Sequence, residues 1–545
     1  MNLTPLAWQS LTIRHQFSEE FDAVRFFDFQ PNAKQAIDLF KRGQFGSLLV
    51  LKTETFPEFI NEIEQYLTQD VHTKVITKTE FNKNNLFGYS IYLEKENKVE
   101  TIQGAIQDAD QHILMLNINA LLLDITQWDK LKQALLFGYY DQHSLNHIPY
   151  LLPKIKTQFK LVLIGSREDI SMLAEYDDGL YQFGQYAEIE SYLSLDEESI
   201  ELWGDYVQST AQSLIGRTFS DTALSQFLQA YVRESESQEL VSISPTLLKK
   251  HLLGLANFYP NTTAFNQIQP YFNYLEQQSS VLNKYTTQDI LTNQLYIETD
   301  DEEIGQINGL SVIEFEGVPH SFGEPLRISC NVQYGDGEIT DIERKVELGG
   351  NIHSKGIIIA QSCLANLLEF PTPLPFSASL AFEQSYGEVD GDSSSLAIFC
   401  VLISALAKLP LPQSIAVTGS IDQFGNVLSV GGVNQKIEGF FNICEARELN
   451  GKQGVIIPAT CLSHLSLKEE VIEAVKEKRF NIWAVNNVFE AIQILLKQHF
   501  YDEDNPENSD KQSIFSLIHQ LIEQEQTREE SGSFFSKIFQ ILRRH

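Results

Sequence analysis

Two stretches of this chain hold side chains that can do chemistry. The first is Phe382-Glu383-Gln384-Ser385-Tyr386-Gly387-Glu388-Val389-Asp390-Gly391-Asp392-Ser393-Ser394-Ser395, which runs into an apolar segment ending at Ala407. Asp392 is a good helix N-cap, which puts Ser393 in the first turn of the helix that follows. A hydroxyl there meets the positive end of the helix dipole and free backbone N–H groups, and both favour an oxyanion developing nearby. Leu396, Phe399, Cys400, Ile403 and Ala407 would fix that helix in a core. The plainer reading of AspSerSerSer is a capping cluster with no chemistry.

A serine nucleophile needs a base. The chain has no Gly-x-Ser-x-Gly elbow and no histidine near Ser393 in sequence. The second stretch supplies another candidate. Val417-Thr418-Gly419-Ser420-Ile421 and Val427-Leu428 read as strands joined at AspGlnPheGlyAsn, followed by Gly431-Gly432 and a helix. On that helix Lys436 shares the apolar face with Val433, Ile437, Phe440, Phe441 and Cys444. Desolvation would lower its pKa until the neutral amine can take a proton. Alternatively, its stem lies along the core edge and its ammonium reaches water. Residue type alone leaves both readings open.

The elements that must position these groups follow from periodicity. Residues 1–190 read as α/β: Gln35–Phe40 is helical, and Ser47–Lys52, His112–Leu116 and Phe159–Gly165 are apolar runs of strand length. Helical patterns between them imply a parallel sheet of βαβ units. Residues 191–290 have few glycines and no convincing strand, so a helical domain is expected. Residues 291–498 begin with glycine-punctuated hairpins such as Leu326–Val332 and continue as alternating helices and strands. Residues 499–545 read as an acidic linker, Tyr501 to Ser509, and a helical tail. In that tail Ile514, Leu517, Ile518, Leu521 and Ile522 share one face, and a second helix is expected at Phe535–Leu542.

Composition excludes several function classes. The chain has 545 residues and 73 acidic against 40 basic side chains, a net charge of −33. That excess repels nucleic acid and anionic membrane, so neither is an expected partner. The most apolar segment, Leu396 to Ala407, is too short for a membrane span, which needs about 20 residues. No export signal is visible at the start, and cytoplasmic localisation is expected. The five cysteines form no CxxC pair and read as reduced, buried thiols. His143 and His147 could share a helix face, but with no third ligand in view no metal is expected.

The strand Ser47–Lys52 stands where a nucleotide-binding domain places its phosphate loop. The residues that follow, Thr53-Glu54-Thr55-Phe56-Pro57-Glu58, include no glycine and two acids. A phosphate cradle needs glycine for close backbone approach and lysine for charge. Asn117, at the end of the next strand candidate, lacks the acidic pair that would hold Mg²⁺.

Taken together, the two chemical stretches resemble the Ser-Lys dyad segments of the Lon protease family, and the region around Ser393 is most similar to the LonB-type branch. That branch has a pattern close to Phe-Glu-Gln-Ser-Tyr followed by Glu-Gly-Asp-Ser-Ala-Ser. ThrGlySer at 418–420 and GlyGlyVal-x-x-Lys at 431–436 resemble the base-bearing segment, and upstream GlyGlyAsnIleHisSerLysGly at 349–356 fits the same domain. The resemblance covers about residues 295–497. It implies Ser393 as nucleophile, Lys436 as general base and Thr418 as a hydrogen-bond partner orienting the lysine. It also implies an AAA+ module at the front, ATP as cofactor, and hexameric rings, although the phosphate loop departs from that pattern. The expected protein is a Lon-like serine endopeptidase with a degenerate AAA+ module, a homo-oligomer acting on unfolded or damaged proteins or peptides without efficient ATP hydrolysis. The alternatives are an ATP-dependent protease with a nonstandard nucleotide site, or a non-catalytic assembly or substrate-binding protein.

Overall fold

The computed structural model describes residues 3–18, 20–69, 74–385, 390–502, 512–525 and 527, without the side chain of residue 336. The chain divides into two compact units, one of residues 16–224 and 240–267, the other of 1–15, 225–239 and 268 onward.

The first unit contains α1 (Pro31–Arg42), β1 (Leu48–Lys52), α2 (Pro57–Thr68), β2 (Val75–Lys78), β3 (Ile113–Asn117), β4 (Lys160–Gly165) and β5 (Gly184–Glu188). The five strands form one parallel sheet in the order β2–β3–β4–β1–β5. Burial on both faces is why β1, β3 and β4 read as unbroken apolar runs, LeuLeuValLeu and IleLeuMetLeu among them. Trp128, Phe159 and Leu163 lie in the core against this sheet.

The helices α3 (Glu197–Ile215), α4 (Asp221–Ser235) and α5 (Pro245–Phe258) follow the sheet. The expectation of no strands between 191 and 290 is corrected here. Tyr192–Ser194 pairs with Leu240–Ser242, and Thr218–Phe219 with Ala264–Phe265. Runs of two and three residues are too short to show an alternating pattern.

The second unit is built on a seven-stranded mixed sheet. Its elements are β6 (Gln306–Ile313), β7 (Phe322–Gly337), β8 (Ile339–Asp341), α6 (Asn351–Leu367), β9 (Leu374–Glu383), α7 (Ser395–Ala407), β10 (Ile415–Val417), β11 (Ser420–Ile421), β12 (Val427–Leu428), α8 (Val433–Ala446), β13 (Gly454–Pro458), β14 (Asn481–Val485) and α9 (Val488–Leu496). The order is β8–β9–β7–β6–β10–β13–β14, while β11 and β12 form a separate hairpin. Successive strand residues serve opposite cores. Ile307, Val417 and Ile456 pack with α7 and α9, whereas Leu310, Ala416 and Val455 pack with α8. Every residue of α7 is buried, as its largely apolar sequence requires, and the buried Ser404 hydroxyl donates to the Leu409 carbonyl at 2.6 Å.

Residues 514–525 are helical, and Ile514, Ile518 and Ile522 join the core around α7. Of the expected acidic linker, residues 503–509 lie outside the described residues, as does the helix expected at 535–542. No helix among the described residues is long and apolar enough to cross a membrane.

Candidate active site

Helix α7 starts at Ser395, so Ser393 sits in the turn ahead of it rather than in its first turn. The turn closes on the Asp392 carbonyl, which accepts from the backbone N–H of Ser395 at 3.0 Å and from its hydroxyl at 2.8 Å. Because Ser395 does this work through Asp392's backbone, the Asp392 carboxylate is not the cap expected from sequence. A strand segment then clamps the turn. Gly419 N–H donates to the Ser393 carbonyl at 2.8 Å, Leu396 N–H donates to the Gly419 carbonyl at 3.1 Å, and Ile421 N–H donates to Ser395 Oγ at 3.0 Å. The fully buried Thr418 adds its hydroxyl to the Ser393 carbonyl at 3.4 Å.

Lys436, on the second turn of α8, is only 4% exposed. Its Nζ lies 3.1 Å from Ser393 Oγ and donates to it. Burial lowers its pKa from 10.5 to about 8, with Cys461 and Asp392 pulling the other way. The fold thus brings Ser393, Lys436 and Thr418 together, but the Thr418 hydroxyl bonds the Ser393 carbonyl rather than the lysine that the resemblance has it orient, because the lysine amine ends on Ser393 Oγ. The ammonium does not reach bulk water; it ends on a serine hydroxyl.

Sequence reasoning missed the groups that hold α8 in place. Glu438 accepts from Arg233 at 2.6 Å through each oxygen, and from Lys468 N–H at 3.1 Å. Asn434 donates to the His464 carbonyl at 2.8 Å and accepts from Ser466 N–H at 2.7 Å. It also missed Asp390, whose Oδ1 accepts from the N–H groups of Ile352 and His353 at 3.0 Å each, tying the nucleophile segment to the start of α6. No local pattern marks these pairs; only the buried acid at 438 on an apolar helix face hints at one of them.

The dyad opens into a cleft of about 380 Å³ with an apolar wall of Leu310, Val312, Leu326 and Phe382. One side of that wall is a sheet edge that no strand among the described residues pairs with. Strand β10 pairs with β6 only at Asn308 and Gly309. Leu310 stands opposite Pro325, which has no N–H, so the β7 ladder bonds fall on Ser311 and Ile313. The backbone groups of Val312 therefore face the cleft.

His143 and His147 lie in irregular chain, not on a helix, and no group of three metal-ligating side chains occurs among the described residues. All five cysteines are free and buried, as expected.

In the first unit the segment after β1 does not fit a triphosphate. Pro57 is the first residue of α2, and Glu58 in that first turn is bound by Lys249 at 2.8 Å and Thr246 at 3.2 Å. The helix N-terminus that would meet a phosphate therefore holds the chain's own carboxylate. Glu54 accepts from Ser191 Oγ at 2.8 Å, and Asn117 Oδ1 caps the next short helix through Asn119 N–H at 3.0 Å.

Residues 71–188 match the LonB-like AAA domain, beginning after that loop, and residues 385–498 match the Lon protease (S16) C-terminal proteolytic domain. A Lon protease homolog of Haemophilus influenzae is 41% identical, across 95% of this chain and 93% of its own length. One of Escherichia coli K12 is 42% identical, across 78% of this chain and 73% of its own. The archaeal Lon protease of Methanocaldococcus jannaschii is 33% identical over 30% of this chain and 24% of its own. With a Lon-type proteolytic domain behind an AAA-like one, and such identity along most of its length, this chain belongs to the Lon protease family.

Proposed function

We propose that the chain is a serine endopeptidase that cleaves unfolded or damaged polypeptides through an acyl-enzyme, with Ser393 as nucleophile and Lys436 as general base. The observation that carries this reading is the 3.1 Å approach of the buried Lys436 amine to the Ser393 hydroxyl. The neutral amine takes the hydroxyl proton as Oγ attacks the peptide carbonyl, and the resulting ammonium returns it to the leaving amine. A water activated by the same lysine then hydrolyses the ester. The oxyanion forms beside the N-terminus of α7, where the helix dipole favours negative charge. Thr418 positions the nucleophile through the Ser393 carbonyl.

Two features support an unfolded substrate. The free edge at Val312 pairs only with extended backbone. The loop from Thr53 to Glu58 lacks the means to bind ATP, so the enzyme hydrolyses little or none of it and has nothing to drive unfolding. The active form is a homo-oligomer, hexameric as in the ring-forming branch that the sequence resembles, and it works in the cytoplasm. Cleavage of a fluorogenic peptide by the wild type, lost in Ser393→Ala, Lys436→Ala and Lys436→Arg with folding retained, tests the mechanism. Arginine fails because it stays protonated. Normal turnover in any of the three contradicts it, and a fully active monomer by light scattering contradicts the assembly.

A further inference from the structure

The cleft around Ser393 is charged in a way the dyad does not need. Besides its apolar wall it is lined, among the described residues, by three carboxylates, Glu236, Glu314 and Asp390, and by one cation, Lys436. The lysine must be neutral to act as base, so the working cleft carries negative charge only. Asp390 is partly satisfied by the start of α6, where two N–H groups meet its Oδ1. Glu236 and Glu314 are exposed at the rim.

Glu236 stands at the C-terminal end of α4. It directly follows the last residue of α4, with φ of 52°, a left-handed conformation that suits glycine or asparagine. Its charge also stands at the negative end of the α4 dipole, where an anion is unfavourable. The guanidinium of Arg233, nearby on the same helix, is already engaged in two bonds to Glu438. Glu236 is attracted by Arg233 and accepts from Gln435 Nε2 at 3.4 Å, from the residue next to Lys436. The open backbone edge at Val312 points independently to a polypeptide as the occupant of this cleft.

We propose that the cleft selects cationic polypeptides, with Glu236 and Glu314 reading a lysine or arginine beside the scissile bond. This rests on the peptidase reading above and adds a substrate class to it. Apolar contacts with Leu326 and Phe382 take one side chain, while the rim acids take a basic neighbour. The chain's net charge of −33 draws such substrates in from solution.

The test uses the full-length protein and three fluorogenic peptides that differ only in one residue flanking the cleaved bond: lysine, glutamine or glutamate. At low salt kcat/KM is expected to be about ten-fold higher for the lysine peptide than for the glutamate peptide. That ratio should shrink at about 0.5 M salt, where screening is nearly complete within a few ångströms. It should fall toward one in the Glu236→Gln/Glu314→Gln variant, with thermal unfolding confirming the fold. Equal rates for lysine and glutamate peptides in the wild type overturn the inference and leave the peptidase reading standing. A lysine preference that survives in the double variant, or that salt does not weaken, also overturns it. A small fluorophosphonate probe separates the two readings. Labelling of Ser393 with none of the peptides cleaved overturns the charge inference alone, whereas no labelling and no cleavage removes both.

Discussion

Gly323 on β7 and Gly439 on α8 meet backbone to backbone, one helical turn from Lys436. A Cβ on Gly439 would run into the carbonyl of Gly323, and a Cβ on Gly323 into the carbonyl of Gln435 and the Cα of Lys436. The lysine reaches Ser393 because its helix can lie this close to the strand. In an exposed helix Gly→Ala stabilises by up to about 1 kcal/mol. Here the sign reverses: Gly439→Ala is expected to destabilise by about 1–3 kcal/mol and to lower kcat by displacing the lysine. Thermal unfolding alongside peptide cleavage checks both, and a raised melting temperature would contradict the packing argument.

Burial of Lys436 has a pH signature. With its pKa lowered to about 8, kcat/KM should rise as pH approaches 8 and then level off. The same shift destabilises the native state at neutral pH. Below pH 8 the folded lysine is protonated at the full cost of burial; between 8 and 10.5 the unfolded chain keeps a proton that the folded one has released, so stability rises with pH. Lys436→Met should therefore abolish turnover while stabilising the fold at pH 7 by about 1–3 kcal/mol, a gain that fades toward pH 10. Urea unfolding of both proteins across that range measures it.

The buried Glu438 pairs with the partly buried Arg233, with side-chain exposures of 6% and 29%. Burial alone would raise the Glu438 carboxyl; Arg233 and then Lys468 outweigh it and hold the group below its usual range. Its contribution is present above the unfolded carboxylate value and is lost as pH falls through the depressed one. Arg233→Ala leaves the acid with only Lys468 nearby and should cost about 2–4 kcal/mol. The double change Arg233→Met with Glu438→Leu should recover most of that loss, read by chemical denaturation. A double variant as unstable as Arg233→Ala would mean that packing, not the unpaired charge, sets the cost.

The Glu58–Lys249 pair, 2.8 Å apart, places the chain's own carboxylate at the start of α2. Cleavage of casein should be the same with and without ATP and Mg²⁺, and a stably folded substrate should resist in both conditions. Titration calorimetry showing micromolar ATP binding, or ATP-stimulated degradation of the folded substrate, would overturn this.

Much of this protein is legible along the chain because it depends on neighbours in sequence. The runs at 48–51 and 161–164 spell buried parallel strands, and the eleven apolar residues among the twelve after Ser395 spell a helix buried on every side. Ser393 and Lys436 stand out because a hydroxyl ahead of such a helix and a lysine on an apolar face are both unusual. What sequence could not decide is whether that lysine snorkels or lies buried against Ser393. Its pKa comes from water excluded by β6, β7 and the turn at 392–393, which no window around residue 436 contains. The Arg233–Glu438 pair spans 205 residues, and the free edge at Val312 exists because β10 stops two residues into its pairing with β6. Periodicity is set by residues three or four apart, whereas burial, close approach and open edges depend on segments that only the folded chain brings together.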